Sequence, residues 1–355
     1  MAAPAIGAPT GPGDAQPGAA PRSFTVAASG DLLIHTPVAS RALALGGGGG
    51  YDFAPLFDPV RRHLARADLA LCHLETPLVP GPVQGYPSFR TPPALAGSIK
   101  RVGWDACSTA SNHSLDAGST GIGTTLQALD RAKVRHTGMA RSARERGRTL
   151  ILDVKGVRVG FLSYTAVSNG QAIPSPWAVN MAEPGRIIAD ARTARRRGAE
   201  VVIVNLHWGV EYSHSISPEQ AALARRLTRS PAVDAIVGQH AHVVQPIRFV
   251  RGKPVVFGEG NLISNQTVAC CPAAAQDGLI ALIRFEVSED PSVRPGQSPV
   301  PPAVRARATR IRYVPTWVSH PDYRVLPAQP GTVSWQRTVA VVGRRPRIAP
   351  LRPPG

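Results

Sequence analysis

V-V-I-V-N-L-H-W-G-V-E, Val201 to Glu211, opens as the most apolar strand-like run of the chain and closes on an imidazole and a carboxylate. Val201 to His207 reads as a strand buried on both faces, because β-branched residues run on without polar alternation. His207 therefore stands where a buried strand stops. Open α/β sheets build their sites there, past the carboxyl ends of the strands.

The same arrangement recurs on either side. G-D-L-L-I-H (Gly30 to His35) follows a strand at Phe24 to Ser29, and H-L-E-T-P (His73 to Pro77) closes one at Ala67 to Leu74. S-N-H-S-L-D-A-G (Ser111 to Gly118) follows Trp104 to Ala110, and G-Q-H-A-H (Gly238 to His242) follows Ala235 to Val237. Q-P-I (Gln245 to Ile247) and G-E-G-N (Gly258 to Asn261) complete the set. Between them, Phe53 to Arg66, Pro93 to Arg101, Thr120 to Lys133, Pro184 to Arg197 and Pro218 to Arg229 read as helices. Val134 to Gly138 reads as a short strand. Leu150 to Val154 with Val157 to Tyr164, and Val243 to Val250 with Pro254 to Gly258, read as hairpins turning at Lys155-Gly156 and Arg251-Gly252. Leu279 to Val287 and Thr309 to Val314 are later strands. This alternation alone predicts an α/β fold with one mostly parallel sheet covered on both faces.

Asp31, Glu75, Asn112, His207, His240 and His242 are the candidate metal ligands. Each has an ordinary reading by itself: Asp31 as a turn residue, His207 as a core histidine. Jointly, oxygen and imidazole donors at strand ends suit Zn, Mn, Fe or Mg, singly or as a pair. Glu75 closes an otherwise apolar strand, where a carboxylate needs a partner or solvent. His240 and His242 flank one Ala, and in an extended segment their rings share a side.

The chain has 355 residues and a net charge of +17. Lys100, Lys133, Lys155 and Lys253 are its lysines; the other basic residues are Arg, in an Ala-, Pro- and Gly-rich background. That charge reads either as a bias of composition or as attraction to a polyanion. In the second reading the helix Pro184 to Arg197 holds the polymer, with Arg186, Arg192, Arg195, Arg196 and Arg197 against Asp190 alone. Nucleic acid is not indicated, since zinc-finger spacing, RNP-like aromatics and basic heptads are missing. No apolar run approaches the roughly 20 residues of a membrane-spanning helix. Met1 to Pro21 lacks the basic and apolar regions of a signal peptide. The pentaglycine Gly46 to Gly50 is not a phosphate-cradling loop.

Cys72 and Cys107 each lie near the end of a strand, just before a ligand segment. They form a disulfide if those strands are neighbours, or remain two buried thiols. Cys270-Cys271 has the alternative of a vicinal bond, which an oxidising compartment would preserve.

The ordered motifs resemble the CapA family of poly-γ-glutamate capsule biosynthesis proteins and, more distantly, the calcineurin-like metallophosphoesterases. They are Gly30-Asp31, L-E-x-P at Leu74 to Pro77, N-H-x-x-D-x-G at Asn112 to Gly118, H-W-G-x-E at His207 to Glu211, G-Q-H-A-H-V-V-Q-P at Gly238 to Pro246, and Gly260-Asn261. The resemblance implies a four-layer αββα sandwich of two facing sheets, with a centre of one or two divalent ions at one edge. By position it puts Asp31 and His242 on one ion, Asn112, His207 and His240 on the other, and Glu75 between them. His113 becomes a proton donor or substrate contact, with Asp116 orienting it and Glu211 orienting His207. The metallophosphoesterase superfamily opens with Asp-x-His, whereas here His35 lies four residues past Asp31 and is a ligand, a support to one, or neither. Asn261 stands as a further support.

The implied chemistry is metal-assisted hydrolysis at a phosphoryl or acyl centre. The alternative is a non-catalytic protein that anchors an anionic polymer. Implied partners are poly-γ-glutamate or a wall polymer and membrane-associated capsule machinery. The implied place is the cell envelope or outside the cell, with the cytoplasm as the alternative. The expected division is a disordered leader or linker at 1–22, a domain at 23–287, a Pro-rich loop at 288–302, C-terminal strands completing the domain at 303–343 and a disordered tail at 344–355.

Overall fold

Val201–His207 forms a strand in which every residue is buried. Val202, Val204 and Leu206 pack against helices, while Val201 and Ile203 pack against a second sheet. That double burial explains the unbroken apolar run, each such side chain contributing roughly 1.5–3 kcal/mol. The computed structural model describes residues 20–289 and 304–351.

In chain order the first half runs β1 (Arg22–Leu32), α1 (Thr36–Leu45), α2 (Ala54–Leu64), β2 (Leu69–Leu74), α3 (Ala94–Val102), β3 (Ala106–Ser108), α4 (Gly118–Arg131), β4 (Arg135–Thr137) and α5 (Ala143–Arg146). Then follow β5 (Leu150–Val154), β6 (Val157–Thr165), α6 (Pro184–Arg196), β7 (Val201–His207), α7 (Pro218–Arg229), β8 (Ala235–Gln239), β9 (Ile247–Val250), β10 (Lys253–Val256) and β11 (Asn261–Ile263). The chain closes with β12 (Asp277–Glu289), β13 (Val304–Val318), β14 (Val325–Pro327), α8 (Val333–Val342) and β15 (Ile348–Pro350).

The strands form two sheets rather than the one that alternation alone predicts. The first runs β14-β13-β12-β1-β2-β3-β4, with β11 beside β1 and β15 beside β13. The second runs β5-β6-β7-β8-β10-β9. The break comes at β5, which pairs antiparallel with β6 instead of extending the sheet from β4. Within each sheet the strands that carry ligand segments are parallel, so their carboxyl ends share an edge. Helices α1 to α4 cover the outer face of the first sheet, and α6 and α7 that of the second. The inner faces meet through Phe24, Val26, Leu69 and Leu71 on one side and Val159, Phe161, Val201 and Ile203 on the other. This is the four-layer αββα sandwich.

Alternation along the inner faces delivers the site. Residues i and i+2 of a strand share a face. Leu69 and Leu71 lie between the sheets, and His73 continues their series; Val201 and Ile203 do so too, and His207 continues theirs. Cys72 and Cys107 lie on the opposite face, toward the helices. They are register partners on β2 and β3 and form a disulfide, with Cα atoms 4.5 Å apart. Cys270 and Cys271 are free thiols, so the vicinal bond is not formed.

Other expectations are corrected. The strand expected at Val243 starts at Ile247, because His240 and His242 adopt left-handed backbone, with φ of 91° and 55°, and turn the chain out of the sheet. The expected tail is partly ordered: β15 pairs parallel with β13 and buries Ile348. Three residues between prolines show no readable period, and an edge strand tolerates proline. Arg22 already belongs to β1, and Ser288 and Glu289 to β12; residues 1–19, 290–302 and 352–355 of the expected leader, loop and tail lie outside the described residues. No helix among the described residues is long and apolar enough to cross a membrane.

Candidate metal centre

Asp31 comes from β1 at a register irregularity between Ala28 and Asp31, the kind of local kink that re-aims a side chain. It is fully buried. Its carboxylate lies 3.1 Å from His242 Nδ1 and 3.9 Å from His73 Nε2. Gly30, beside it, is close to β11: a Cβ there would lie 1.9 Å from the Gly260 carbonyl oxygen. Only glycine allows that approach.

Glu75, just past β2, is buried, and neither of its oxygens has a hydrogen-bond partner. It lies 3.7 Å from His242 Nε2 and 4.0 Å from His207 Nε2. Asn112 Oδ1 accepts a hydrogen bond from His207 Nε2 at 2.7 Å, and Asn112 Nδ2 donates to Asn169 Oδ1 at 3.2 Å. The ring of His207 is 4.6 Å from that of His240, which is 6.0 Å from that of His242.

His73 is a member of the cluster that sequence reasoning does not name, although it opens the H-L-E-T-P motif. Its Nδ1 is 2.8 Å from Ser108 Oγ, its Nε2 is buried without a partner, and its ring stacks on His207. The signal that could find it is parity: His73 shares an inner face with Leu69 and Leu71.

Among the described residues, three groups are close enough to hold a metal ion: Asp31 with His73 and His207, Asp31 with Glu75 and His242, and Glu211 with His240 and His242. The grouping differs from the positional expectation. Asp31, Glu75 and His242 do converge. His240 instead falls with Glu211 and His242, while His207 falls with Asp31 and His73 and contacts Asn112. Glu211, expected to orient His207, is exposed and sits with His240 and His242. The two rings of the G-Q-H-A-H motif do not share the face of an extended strand, since both residues have positive φ.

Around this cluster, His113 Nδ1 lies 2.7 Å from Asp116 Oδ2. Asp116 also accepts from the Phe89 backbone N–H at 2.7 Å and from Gln171 Nε2 at 3.1 Å. It makes no cap to α4, whose preceding residue Ala117 lacks one as well. Asn261 Oδ1 is 3.0 Å from His242 Nδ1, so Asn261 supports that ring. His35 belongs to none of the three groups. Its Nδ1 accepts from the Asn265 N–H at 3.1 Å, and its ring meets the edge of Phe89, which in turn packs on His113.

Burial sets the protonation states. It pushes His73 down to about 4, against the pull of Asp31. Burial, with His242 adding, pushes His240 to about 3. His207 falls well below the ordinary range through burial and the neighbouring His240 and His73. Burial also lowers His242, but Glu75 and Asp31 outweigh it and lift the ring to about 9. Glu75 rises well above the carboxylate range, through burial and then Asp31, with His242 offsetting part. Neutral imidazole is the form that binds metal. Glu75 Oε1 and Oε2, His73 Nε2, His207 Nδ1 and His240 Nδ1 are all buried without partners. Unpaired buried polar atoms cost about 1–3 kcal/mol each, and a bound ion or ordered water is what satisfies such a concentration. A divalent cation fits this donor set.

A sequence model of the bacterial capsule synthesis protein PGA_cap matches residues 25–266. The chain belongs to the PGA_cap family. The matched span holds every candidate ligand from Asp31 to His242. The chain is 30% identical over 174 residues to the capsule biosynthesis protein CapA of Bacillus anthracis, covering 48% of this chain and 42% of that one. It is 28% identical over 193 residues to a probable polyglutamine synthesis accessory protein of Mycobacterium tuberculosis, covering 50% of each. The chain thus spans about half, or less, of the length of these curated PGA_cap relatives. Among solved structures, the calcineurin-like phosphoesterase YfkN from Bacillus subtilis aligns with a TM-score of 0.43 and 14% identity, over 81% of this chain and 91% of that one.

Proposed function

We propose that this PGA_cap protein is a divalent-metal-dependent hydrolase of capsule or poly-γ-glutamate biosynthesis, acting on a phosphoryl or acyl centre at the cell envelope. One observation carries the reading: five buried polar atoms on Glu75, His73, His207 and His240 lack partners and belong to one cluster. Asp31, Glu75, His73, His207, His240 and His242 would hold the metal, with Asn112 and Glu211 at its margin. When bound, the ion supplies Lewis acidity and lowers the pKa of water.

The chain's own residues do the rest. Asp31 Oδ2 and Asn261 Oδ1 fix the His242 ring from one side. Asn112 fixes His207 through its Nε2, leaving Nδ1 as that ring's unpartnered nitrogen. His113 donates its Nδ1–H to Asp116, so a proton passed to a leaving oxygen would be the one that the doubly protonated ring carries on Nε2. The core between the sheets keeps bulk water from the inner side of the cluster.

A second reading rests on the net charge of +17. The protein would bind an anionic polymer, poly-γ-glutamate or a wall polymer, beside capsule machinery and without turnover, its metal being structural. Hydrolysis of generic phosphomonoester, phosphodiester and ester substrates by metal-loaded protein separates the two. Turnover lost in the His113→Ala variant supports the hydrolase; no turnover of any of them by fully loaded protein supports the binding protein.

A further inference from the structure

At the open edge between the two sheets, away from the metal cluster, lies a cavity of about 580 Å³. It is bounded by β4, α5, the hairpin of β5 and β6, and α6. Its size falls within the range of ligand sites. Lys133, Arg135, Arg141, Arg146 and Arg148 line it against Asp130, Glu145 and Asp190.

The acids are already engaged. Arg141 pairs with Glu145 and, at 2.7 Å, with Asp130. Asp190 Oδ2 accepts from Arg146 at 2.5 Å and from the Tyr164 hydroxyl at 2.8 Å. Lys133, Arg135 and Arg148 make no side-chain hydrogen bond or ion pair with the described residues, so their charge is uncompensated. Two further atoms are left over. Asn180, 8% exposed, has an unpartnered Oδ1, and Arg146 has an unpartnered Nε. One acceptor and one donor are thus unused beside three free cations.

We propose that this groove binds a segment of an amide-linked polycarboxylate, a glutamyl chain, at a site separate from the metal centre. Such a chain brings carboxylates for Lys133, Arg135 and Arg148, an amide N–H for an acceptor such as Asn180 Oδ1, and a carbonyl for a donor such as Arg146 Nε. A polyol phosphate carries the charge but no amide N–H. The assignment rests on the polymer-partner part of the proposed function and not on turnover. It also relocates the polymer contact expected on α6. There Arg195 is tied to Asp234, and Arg197 to the Gly147 carbonyl at 2.9 Å. Arg186 and Arg192 remain exposed.

The test is binding of fluorescent poly-γ-glutamate fragments to the full chain at low salt, where exposed charges act over about 10 Å at 0.1 M. The groove variant Arg135→Ala/Arg148→Ala is compared with Arg186→Ala/Arg192→Ala, which removes the same charge from α6. Polyglycerol phosphate serves as the second probe. The groove variant should bind at least about tenfold more weakly, roughly 1.4 kcal/mol, while the α6 variant stays near wild type. Equal loss in both variants, or loss in neither, overturns the groove. Wild-type protein that prefers polyglycerol phosphate, or binds neither probe, overturns the glutamyl assignment. Metal content, measured on the same samples, reports on the metal centre independently.

Discussion

His73 and His207 stack ring on ring across the gap between the two sheets, with centroids 4.8 Å apart. Each ends the inner-facing series of its own strand, so the two sheets are joined at this edge by imidazoles rather than by aliphatic side chains. Both rings are driven to the neutral form by burial, and each keeps one nitrogen without a partner. A sandwich gains nothing from such atoms unless something binds them.

His73→Ala should therefore weaken metal binding although the residue lies outside the L-E-x-P motif that follows it. The expected loss is at least about tenfold, the lower end of what even an outer support to a metal ligand costs. Titration of chelator-stripped protein with Mn or Zn measures it. Unchanged affinity would make His73 a packing residue.

His113→Ala should keep full metal content and lose about 10²- to 10⁴-fold in turnover, as expected of a general acid. Asp116→Asn should keep metal as well, with a smaller loss of turnover, since it removes the group that orients His113 and not the proton donor itself. Metal loss from His113→Ala as complete as from His240→Ala would remove it from the proton-transfer role.

The metal-free protein should lose stability as pH falls from about 6.5 to about 4. His35, His63 and His73 all titrate near 4 when folded, burial being the main cause. Unfolded, they take up protons near 6.5, so in this window the unfolded chain binds more protons and stability rises with pH. Each tenfold difference in proton affinity is worth about 1.4 kcal/mol. His242, lifted to about 9, acts in the opposite sense: its contribution is complete below about 6.5 and fades as pH passes 9. Denaturant melts of chelated protein across pH 4 to 10 should show a maximum between these limbs. A flat profile below 6.5 would contradict the buried neutral histidines.

The Cys72–Cys107 bond closes a loop with a sequence separation of 35. Chain entropy for such a loop is worth about 4 kcal/mol. Cys72→Ser/Cys107→Ser should lose stability of that order and still bind metal, because the bond faces the helix layer and His73 faces the other way. Non-reducing mass spectrometry of wild-type protein should find two alkylated thiols, on Cys270 and Cys271. Four alkylated thiols would show that the bond does not form in the compartment sampled.

The ligand-bearing strand ends are legible in the sequence, because an apolar run that stops at Asp31, Glu75 or His207 marks a buried strand meeting a polar edge. One sheet and two sheets are not distinguishable there. A strand buried between two sheets and one buried between a sheet and helices are equally apolar, and the break at β5 depends on a pairing choice that a hairpin hides. Register is equally hidden. Cys72 and Cys107 become partners, and His73 faces His207, only once β2, β3 and β7 are aligned. The turn at His240 and His242 reads as extended because left-handed backbone at non-glycine residues is rare and carries no compositional mark. Glu211 lies beyond the strand, on a loop whose course returns it to His240 and His242 rather than to His207.

The central claim is a resident divalent metal in the cluster of Asp31, Glu75, His73, His207, His240 and His242. Elemental analysis of wild-type protein and of Glu75→Gln/His240→Ala, purified without chelator, tests it most directly. The account predicts Mn, Zn, Fe or Mg bound to wild type in stoichiometric amount and lost from the variant. With that loss should go about 2.7 kcal/mol of stability, at a hundredfold excess of metal over Kd. Wild-type protein without stoichiometric metal, or a variant that retains it in full, would contradict the account.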